Sequence, residues 1–222
     1  MKIAFAHNVY DRFKTLKNTI EIEKKYFPDA PISIAYNNTY VDIFKDITNF
    51  SAISFNQKTH KIGCTNGCIL SIKQLLDVDF DVLIFSHDDI FIYEPKIDVV
   101  HKHIESIVNG EFDVICRKPI RLVNSIDTIQ GYCMMDVFYA SKNAITKLFM
   151  DVKVFEKESD IPSANYVNSI APEVWFYNLI NNKGLKINEI GYDSFNPEYN
   201  DQFSKQMGYY HKNNLIRGWK DK

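Results

Sequence analysis

The sequence lacks several features that would each point to a familiar class of protein. No stretch approaches the roughly 20 uninterrupted apolar residues that a membrane-spanning helix needs. The net charge is −2 and no basic stripe is present, so nucleic acid is not an expected partner. The segment Met1–Phe13 has no long apolar core of the kind that signal peptides contain. We therefore expect a cytoplasmic protein with neither a signal peptide nor a transmembrane segment.

The segment 212–222 is the one part of the sequence that suggests a membrane surface. It carries four Lys or Arg residues and one Trp. Such a segment could make a peripheral contact with the anionic inner face of a membrane. A solvated chain end is the alternative that we favour.

Cysteine is scarce, and its spacing argues against a metal cluster. The four cysteines are Cys64, Cys68, Cys116 and Cys133. Cys64 and Cys68 fall on one helix face, but no second closely spaced pair completes a zinc site. The sequence predicts that all four thiols are reduced and mostly buried, as is usual in the cytosol.

Hydrophobic residues make up 45% of the chain, which is enough for a sizeable core. Short strand patterns alternate with helical ones: strands at 2–6, 32–36, 82–86, 113–116, 132–139 and 185–190, and helices at 13–27, 65–76, 99–108, 142–150 and 173–182. This alternation predicts an α/β fold of Rossmann-like type, with a mostly parallel central sheet flanked by helices. A long loop is expected at 156–172, and irregular structure after 190. No repeat or linker divides residues 1–222, so a single domain is expected.

The most informative segment, 82–92, reads Val-Leu-Ile-Phe-Ser-His-Asp-Asp-Ile-Phe-Ile. A short apolar run that ends in a polar cluster is typical of a buried central strand. Ligands of open α/β sheets bind at the carboxyl ends of strands, so Asp88 and Asp89 are expected beside a ligand. Adjacent carboxylates repel each other, and a divalent cation such as Mn²⁺ or Mg²⁺ removes that repulsion and can hold a diphosphate. An acidic turn is the alternative, although no Gly or Pro follows the pair.

Polar and aromatic side chains follow the first two predicted strands. His7, Asn8 and Tyr10 follow the first strand, and Tyr36 and Asn37 end the second. An aromatic ring and an amide at a strand end suit the stacking and edge hydrogen bonding of a nucleotide base. Turn chemistry explains the asparagines equally well.

Two further candidates stand at predicted helix starts. Asn66 could meet a diphosphate or a sugar there, or could be a plain N-cap. Glu173 follows Pro172. The dipole of its helix favours the ionised carboxylate that a general base needs. The alternative for Glu173 is an ordinary acidic residue of a first helical turn.

Taken in order, these motifs resemble those of the GT-A-fold glycosyltransferases. Ser86-His87-Asp88-Asp89 is similar to their Asp-x-Asp motif, with His87 where the first Asp would stand. Gly63-Cys64-Thr65-Asn66-Gly67 resembles the helix that lies next to the donor site. Residues 171–176 resemble the segment that supplies the base of inverting members, and Tyr209-Tyr210-His211 resembles the late His that completes the metal site.

The resemblance implies a metal-assisted transfer of a sugar from a nucleotide diphosphate sugar, with a UDP-sugar favoured, to a glycan or lipid-linked glycan acceptor. Asp88, Asp89 and His211 would hold Mn²⁺ or Mg²⁺, and Glu173 would be the base of an inverting reaction. The expected donor-contacting residues are His7, Asn8, Tyr10, Tyr36, Asn37, Asn66, His87 and Asp88. A surface polysaccharide, a lipo-oligosaccharide or a glycoprotein glycan would be the product.

Two other function classes stay open. A sugar-phosphate nucleotidyltransferase also binds nucleotides with acidic metal ligands, but that class has a Gly-rich basic loop where segment 7–12 contains no Gly. The other class is a non-catalytic nucleotide-sugar or carbohydrate-binding module, in which no common function would explain both Glu173 and His211.

Overall fold

The computed structural model describes residues 1–10, 12–37, 44, 46–56, 59–121, 133–161, 163–164, 167–170, 172–193 and 199–211. The strands are β1 (Ile3–Val9), β2 (Ile32–Asn37), β3 (Phe50–Phe55), β4 (Val82–His87), β5 (Ile90–Ile92), β6 (Val114–Arg121), β7 (Val137–Ser141), β8 (Ser163–Ala164), β9 (Val167–Ile170), β10 (Ile187–Asp193) and β11 (Tyr209–His211). The helices are α1 (Phe13–Tyr26), α2 (His60–Lys73), α3 (Ile97–Val108), α4 (Lys142–Phe149), α5 (Pro172–Asn182) and α6 (Tyr199–Met207).

Seven of these strands form one sheet in the order β10-β6-β7-β4-β1-β2-β3. Strand β7 runs antiparallel to both of its neighbours, and every other adjacent pair is parallel. The predicted fold class, a mostly parallel α/β sheet flanked by helices, is confirmed. Strands β5 and β11 form a separate antiparallel pair, as do β8 and β9.

Helices cover both faces of the sheet. On one face, Leu83 and Phe85 of β4 pack in a core built with α2, α4 and α5. On the other face, Val82 and Ile84 pack in a core built with α1, α3 and α6. Five consecutive residues of β4 are buried, because helices cover both faces of this central strand. The polar residues that follow β4 are therefore carried by one of the most firmly held strands of the sheet.

Helix α2 begins earlier than the sequence predicts. The structure places its N-cap at Thr59, whose side chain accepts a hydrogen bond from the Ile62 backbone N–H at 3.4 Å. Asn66 lies inside the helix, so the alternative that it is the N-cap is wrong. Gly63 and Gly67 weaken the helical signal of this segment, because glycine is a poor helix former.

The second half of the chain is more ordered than the sequence predicts. The expected loop at 156–172 contains the short strands β8 and β9, and the expected irregular segment after residue 190 contains α6 and β11. Strand β11 has only three residues and gains its order from pairing with β5, a long-range contact without a local signal.

The prediction that all four cysteines are reduced is wrong for one pair. Cys116 and Cys133 form a disulfide with their Cα atoms 6.3 Å apart, whereas Cys64 and Cys68 are free. This pairing removes the cysteine argument for a cytosolic location, because disulfides are rare there. Among the described residues, no helix is both long enough and apolar enough to cross a membrane.

Candidate active site

The carboxyl ends of β1 and β4 meet at one edge of the sheet. The two strands are parallel neighbours, and Asn8 pairs in register with His87. The Asp88 backbone N–H donates to the Asn8 carbonyl at 3.1 Å, and the Asn8 amide nitrogen lies 3.4 Å from His87 Nδ1. The structure thus brings together three residues that the sequence assigned to the donor site.

Asp88 holds the chain that leaves β1. Its Oδ2 accepts hydrogen bonds from the backbone N–H groups of Tyr10 at 2.9 Å and Arg12 at 3.0 Å. Only 5% of the residue is exposed, and this burial raises its pKa; the two backbone bonds lower the pKa, and the charge of Asp89 raises it. Asp88 therefore has a structural task at this edge, and its predicted role as a metal ligand stays a prediction.

Asp89 faces a cation from the same chain segment. The Arg12 guanidinium donates from Nη1 to Asp89 Oδ2 at 2.6 Å. The side chain of Asp89 is 13% exposed and that of Arg12 is 37% exposed. Sequence reasoning missed Arg12; the available signal was a basic residue directly after the first strand.

Strand pairing places the backbone of His211 beside the aspartate pair. Strand β11 runs antiparallel to β5, and His211 is the register partner of Ile90, the residue that follows Asp89. Its imidazole lies outside the part of the chain that the structure describes. The backbone position agrees with the predicted metal site, but metal ligation by His211 stays a prediction.

Glu173 lies in the first turn of α5 and is half-buried. The charge of the Glu173 carboxylate acts on the thiol of Cys64, which lies on α2. The pKa of this thiol is raised to about 12, first by burial and then by the charges of Glu173, Asp89 and Asp88. The charges of Glu173 on α5 and of Asp88 and Asp89, which follow β4, thus act on the same thiol.

Helix α2 contacts the end of β1 through its glycines. A Cβ at Gly67 would lie 1.9 Å from Asn8 Oδ1. The Asn8 side-chain amide also donates a hydrogen bond to the Gly63 carbonyl oxygen at 3.4 Å. Glycine at position 67 is thus required for Asn8 to occupy its place. Helix α2 therefore lies against the carboxyl end of β1, and the expectation that a donor binds there stays a prediction.

Two predicted donor-binding residues have all their polar groups engaged within the fold. His7 is fully buried; its Nδ1 lies 3.0 Å from Ser86 Oγ and its Nε2 lies 3.0 Å from Glu23 Oε2. The Asn66 amide donates to the Phe155 carbonyl at 2.9 Å and accepts from the Phe155 N–H at 2.8 Å. His7 and Asn66 are therefore left out of the donor site proposed below.

The aromatic candidates lie at the same edge of the sheet. Tyr10 is 53% exposed, which leaves most of its ring available. Tyr36 pairs in register with Val9, packs edge-on against Phe13 at 6.2 Å, and is followed by Asn37 at the end of β2. Their contact with a nucleotide stays a prediction.

The oxygen-rich chemistry of this edge fits a hard divalent cation. Two consecutive carboxylates repel each other, and the charge of Asp89 contributes to raising the pKa of Asp88. A divalent cation relieves this repulsion. Among the described residues, no group of three or more His, Cys, Asp or Glu side chains could hold a metal ion. The imidazole of His211 is not among the described side chains. A cation here would rest on Asp89 together with that imidazole.

Comparisons with known proteins give the fold and no closer relation. No protein-family model matches the sequence, and no curated protein matches it. The chain is similar to S. aureus TarS, with a TM-score of 0.52 and 13% identity over 92% of this chain and 38% of that one. For TarS 1–349, the TM-score is 0.51 and the identity 12%, over 86% of this chain and 58% of that one. This chain therefore spans less than two thirds of either TarS chain.

A nucleoside-diphosphate-sugar pyrophosphorylase from Vibrio cholerae RC9 is also similar, with a TM-score of 0.48 and 12% identity over 92% of this chain and 99% of that chain. A TM-score at this level adds nothing to the assignment. At such identities the likeness to TarS shows a shared α/β fold and says nothing of activity.

Proposed function

We propose that this protein is a GT-A-type glycosyltransferase that moves a sugar from a nucleotide diphosphate sugar, with a UDP-sugar favoured, to a glycan or lipid-linked glycan acceptor. The observation that carries the proposal is the geometry of the ligand-binding sheet edge: Asn8 pairs in register with His87, Asp88 and Asp89 follow directly, and β11 brings residue 211 beside them. The segments that meet there come from distant parts of the chain, which a plain acidic turn would not require.

The leaving diphosphate needs positive charge beside it. Asp89, with the imidazole of His211, would hold Mn²⁺ or Mg²⁺ at this edge, and a cation there supplies stabilisation of the charge that develops on the leaving group. Asn8, His87 and Tyr10 would contact the nucleotide, with Tyr36 and Asn37 on the neighbouring strand. Asp88 would keep Tyr10 and Arg12 in place through its two backbone bonds.

The acceptor needs a base. Glu173 would take the proton of the acceptor hydroxyl as its oxygen bonds to the anomeric carbon. The bond between that carbon and the diphosphate oxygen breaks, and the electron pair leaves with the diphosphate. Since no protein nucleophile takes part, the sugar would be inverted at the anomeric carbon. The start of a helix favours the ionised form of Glu173 that this step requires.

A cytoplasmic location, with a peripheral contact at the inner membrane face, belongs to the same proposal. A donor made in the cytosol would reach the site there, and a lipid-linked acceptor would sit at that face. The basic segment 212–222 is the part of the sequence that supports such a contact.

A thermal-shift panel tests the donor class. The panel contains nucleotide sugars, the matching nucleoside diphosphates and the nucleoside triphosphates, each with and without Mn²⁺. A ligand at 100 times its dissociation constant stabilises the fold by about 2.7 kcal/mol, which raises the Tm of a chain of this size by several degrees. We expect such a rise with at least one nucleoside diphosphate and its sugar, larger with Mn²⁺. Stabilisation by triphosphates alone would favour nucleotidyl transfer and contradict the proposal.

A further inference from the structure

We propose that Arg12 binds the diphosphate of the donor, and that it competes with the divalent cation for Asp89 when no donor is present. The inference rests on the proposed function. It adds a residue that binds the diphosphate, and it adds that the cation replaces Arg12 at Asp89 when the donor binds. It starts from one contact, the 2.6 Å hydrogen bond from Arg12 Nη1 to Asp89 Oδ2.

The backbone of Arg12 is fixed while its side chain reaches outward. Asp88 holds the Arg12 N–H at 3.0 Å, and helix α1 begins at the next residue, Phe13. The guanidinium is more exposed than the carboxylate that it contacts, at 37% against 13%. A long side chain on a fixed backbone can change partners without moving the strand end or the helix.

The guanidinium suits a diphosphate better than it suits a lone carboxylate in water. Its planar fork of donors matches two phosphate oxygens at once. Leaving Asp89 costs the fold little, because the guanidinium is 37% exposed and the incoming cation neutralises the carboxylate in its place. The N-terminus of α1 lies beside Arg12, and its dipole also favours an incoming anion.

Charge balance then links the two ligands. Without a donor, Arg12 neutralises Asp89 and opposes a cation at that carboxylate. When a diphosphate arrives, Arg12 turns to the phosphate oxygens and leaves Asp89 to the cation. Each ligand therefore strengthens the binding of the other, and the coupling is equal in both directions.

The test measures two affinities in the same variants. Arg12→Met keeps the unbranched stem of the side chain and removes its charged fork, and Arg12→Lys keeps the charge and removes the fork. Lys17→Met, at an exposed position of α1, is the matched control for the loss of one positive charge. Calorimetry gives the affinity for UDP, and electron paramagnetic resonance of free Mn²⁺ gives the affinity for the cation alone.

We expect opposite signs for the two ligands. Arg12→Met should weaken UDP binding by about ten-fold or more, the usual scale for a hydrogen bond to a charged group. The same variant should bind Mn²⁺ alone more tightly, because the competing guanidinium is gone. Arg12→Lys should fall between the wild type and Arg12→Met for UDP, and Lys17→Met should match the wild type for both ligands.

Structural damage would weaken both affinities together, and that result would overturn the inference. An Arg12→Met protein that binds UDP as the wild type does would overturn the Arg12 assignment and leave the proposed function standing. A wild type that binds no nucleoside diphosphate, with or without Mn²⁺, would overturn both.

Discussion

Glu173→Gln should lower the rate of sugar transfer by about two or more orders of magnitude, the usual scale for loss of a general base. Glutamine keeps the size and most of the hydrogen bonding of glutamate but cannot accept the acceptor's proton. Donor affinity should stay near that of the wild type, because Asn8, Asp89 and Arg12 lie on other elements. The measurement is steady-state transfer together with calorimetry of the donor.

The start of α5 is held by contacts that the Glu173→Gln substitution leaves in place. Pro172, Val174, Trp175 and Phe176 are buried and hold the start of α5, and the Glu173 carbonyl accepts from the Cys133 N–H at 3.3 Å. Glutamine has the size of glutamate and can keep a hydrogen bond at this position. We therefore expect the variant to keep a Tm close to that of the wild type.

Asp160→Asn is the matched control, since Asp160 is an exposed carboxylate in a short helical turn. It should transfer sugar at the wild-type rate. Asp136 is a weaker candidate base, because its Oδ2 accepts from buried Arg117 at 3.3 Å and its Oδ1 from the Val137 N–H at 2.8 Å. Normal transfer by Glu173→Gln would show that the base is elsewhere or that the reaction retains configuration.

Asp89→Ala should weaken Mn²⁺-dependent binding of a nucleoside diphosphate by about one to two orders of magnitude, since even partners that only support metal ligands are worth this much. The fold should be little affected, because alanine removes the carboxylate itself and its partner, the Arg12 side chain, is 37% exposed and stays solvated. Calorimetry with and without Mn²⁺ measures the effect.

The neighbouring residue provides the contrast. Asp88→Ala leaves the N–H groups of Tyr10 and Arg12 without their acceptor, and each lost bond to a buried group costs about 1–3 kcal/mol. We expect a clear fall in Tm for Asp88→Ala and none for Asp89→Ala. Unchanged calorimetric affinity in Asp89→Ala would remove the cation site from the account.

The strand that carries the aspartates could be predicted from the sequence because its signal is local. An unbroken apolar run followed by acidic residues defines β4, and five buried residues confirm it. The helix of Glu173 was equally clear, since Pro172 and Gly184 mark its two ends. Gly184 indeed adopts a positive φ of 61° just after the helix.

The parts that the sequence could not predict depend on distant partners. His7 looks like a ligand at a strand end, but alternation along β1 turns it toward α1, where Glu23 and Ser86 occupy both ring nitrogens. The place of Arg12 in the site depends on its contact with Asp89, which is distant in sequence. The position of residue 211 depends in the same way on its pairing with Ile90 in β5. No periodicity in one segment reveals such contacts.

The Asn66 amide illustrates the same limit. Asparagine near glycine suggests a cap or a turn, and here the amide ties α2 to Phe155, 89 residues away. The Cys116–Cys133 disulfide is likewise closed by the tertiary fold, across a separation of 17 residues that carries no motif.

The identity of the phosphate product tests the central claim most directly. Phosphorus NMR of the reaction, run with the best-stabilising donor, Mn²⁺ and a glycan acceptor, distinguishes a nucleoside diphosphate from pyrophosphate. We predict that nucleoside diphosphate accumulates in step with sugar transferred to the acceptor or, more slowly, to water. A parallel reaction contains a nucleoside triphosphate and a sugar phosphate in place of the nucleotide sugar and the acceptor. Pyrophosphate formed there, with no nucleoside diphosphate released from the nucleotide sugar in the first reaction, would contradict glycosyl transfer.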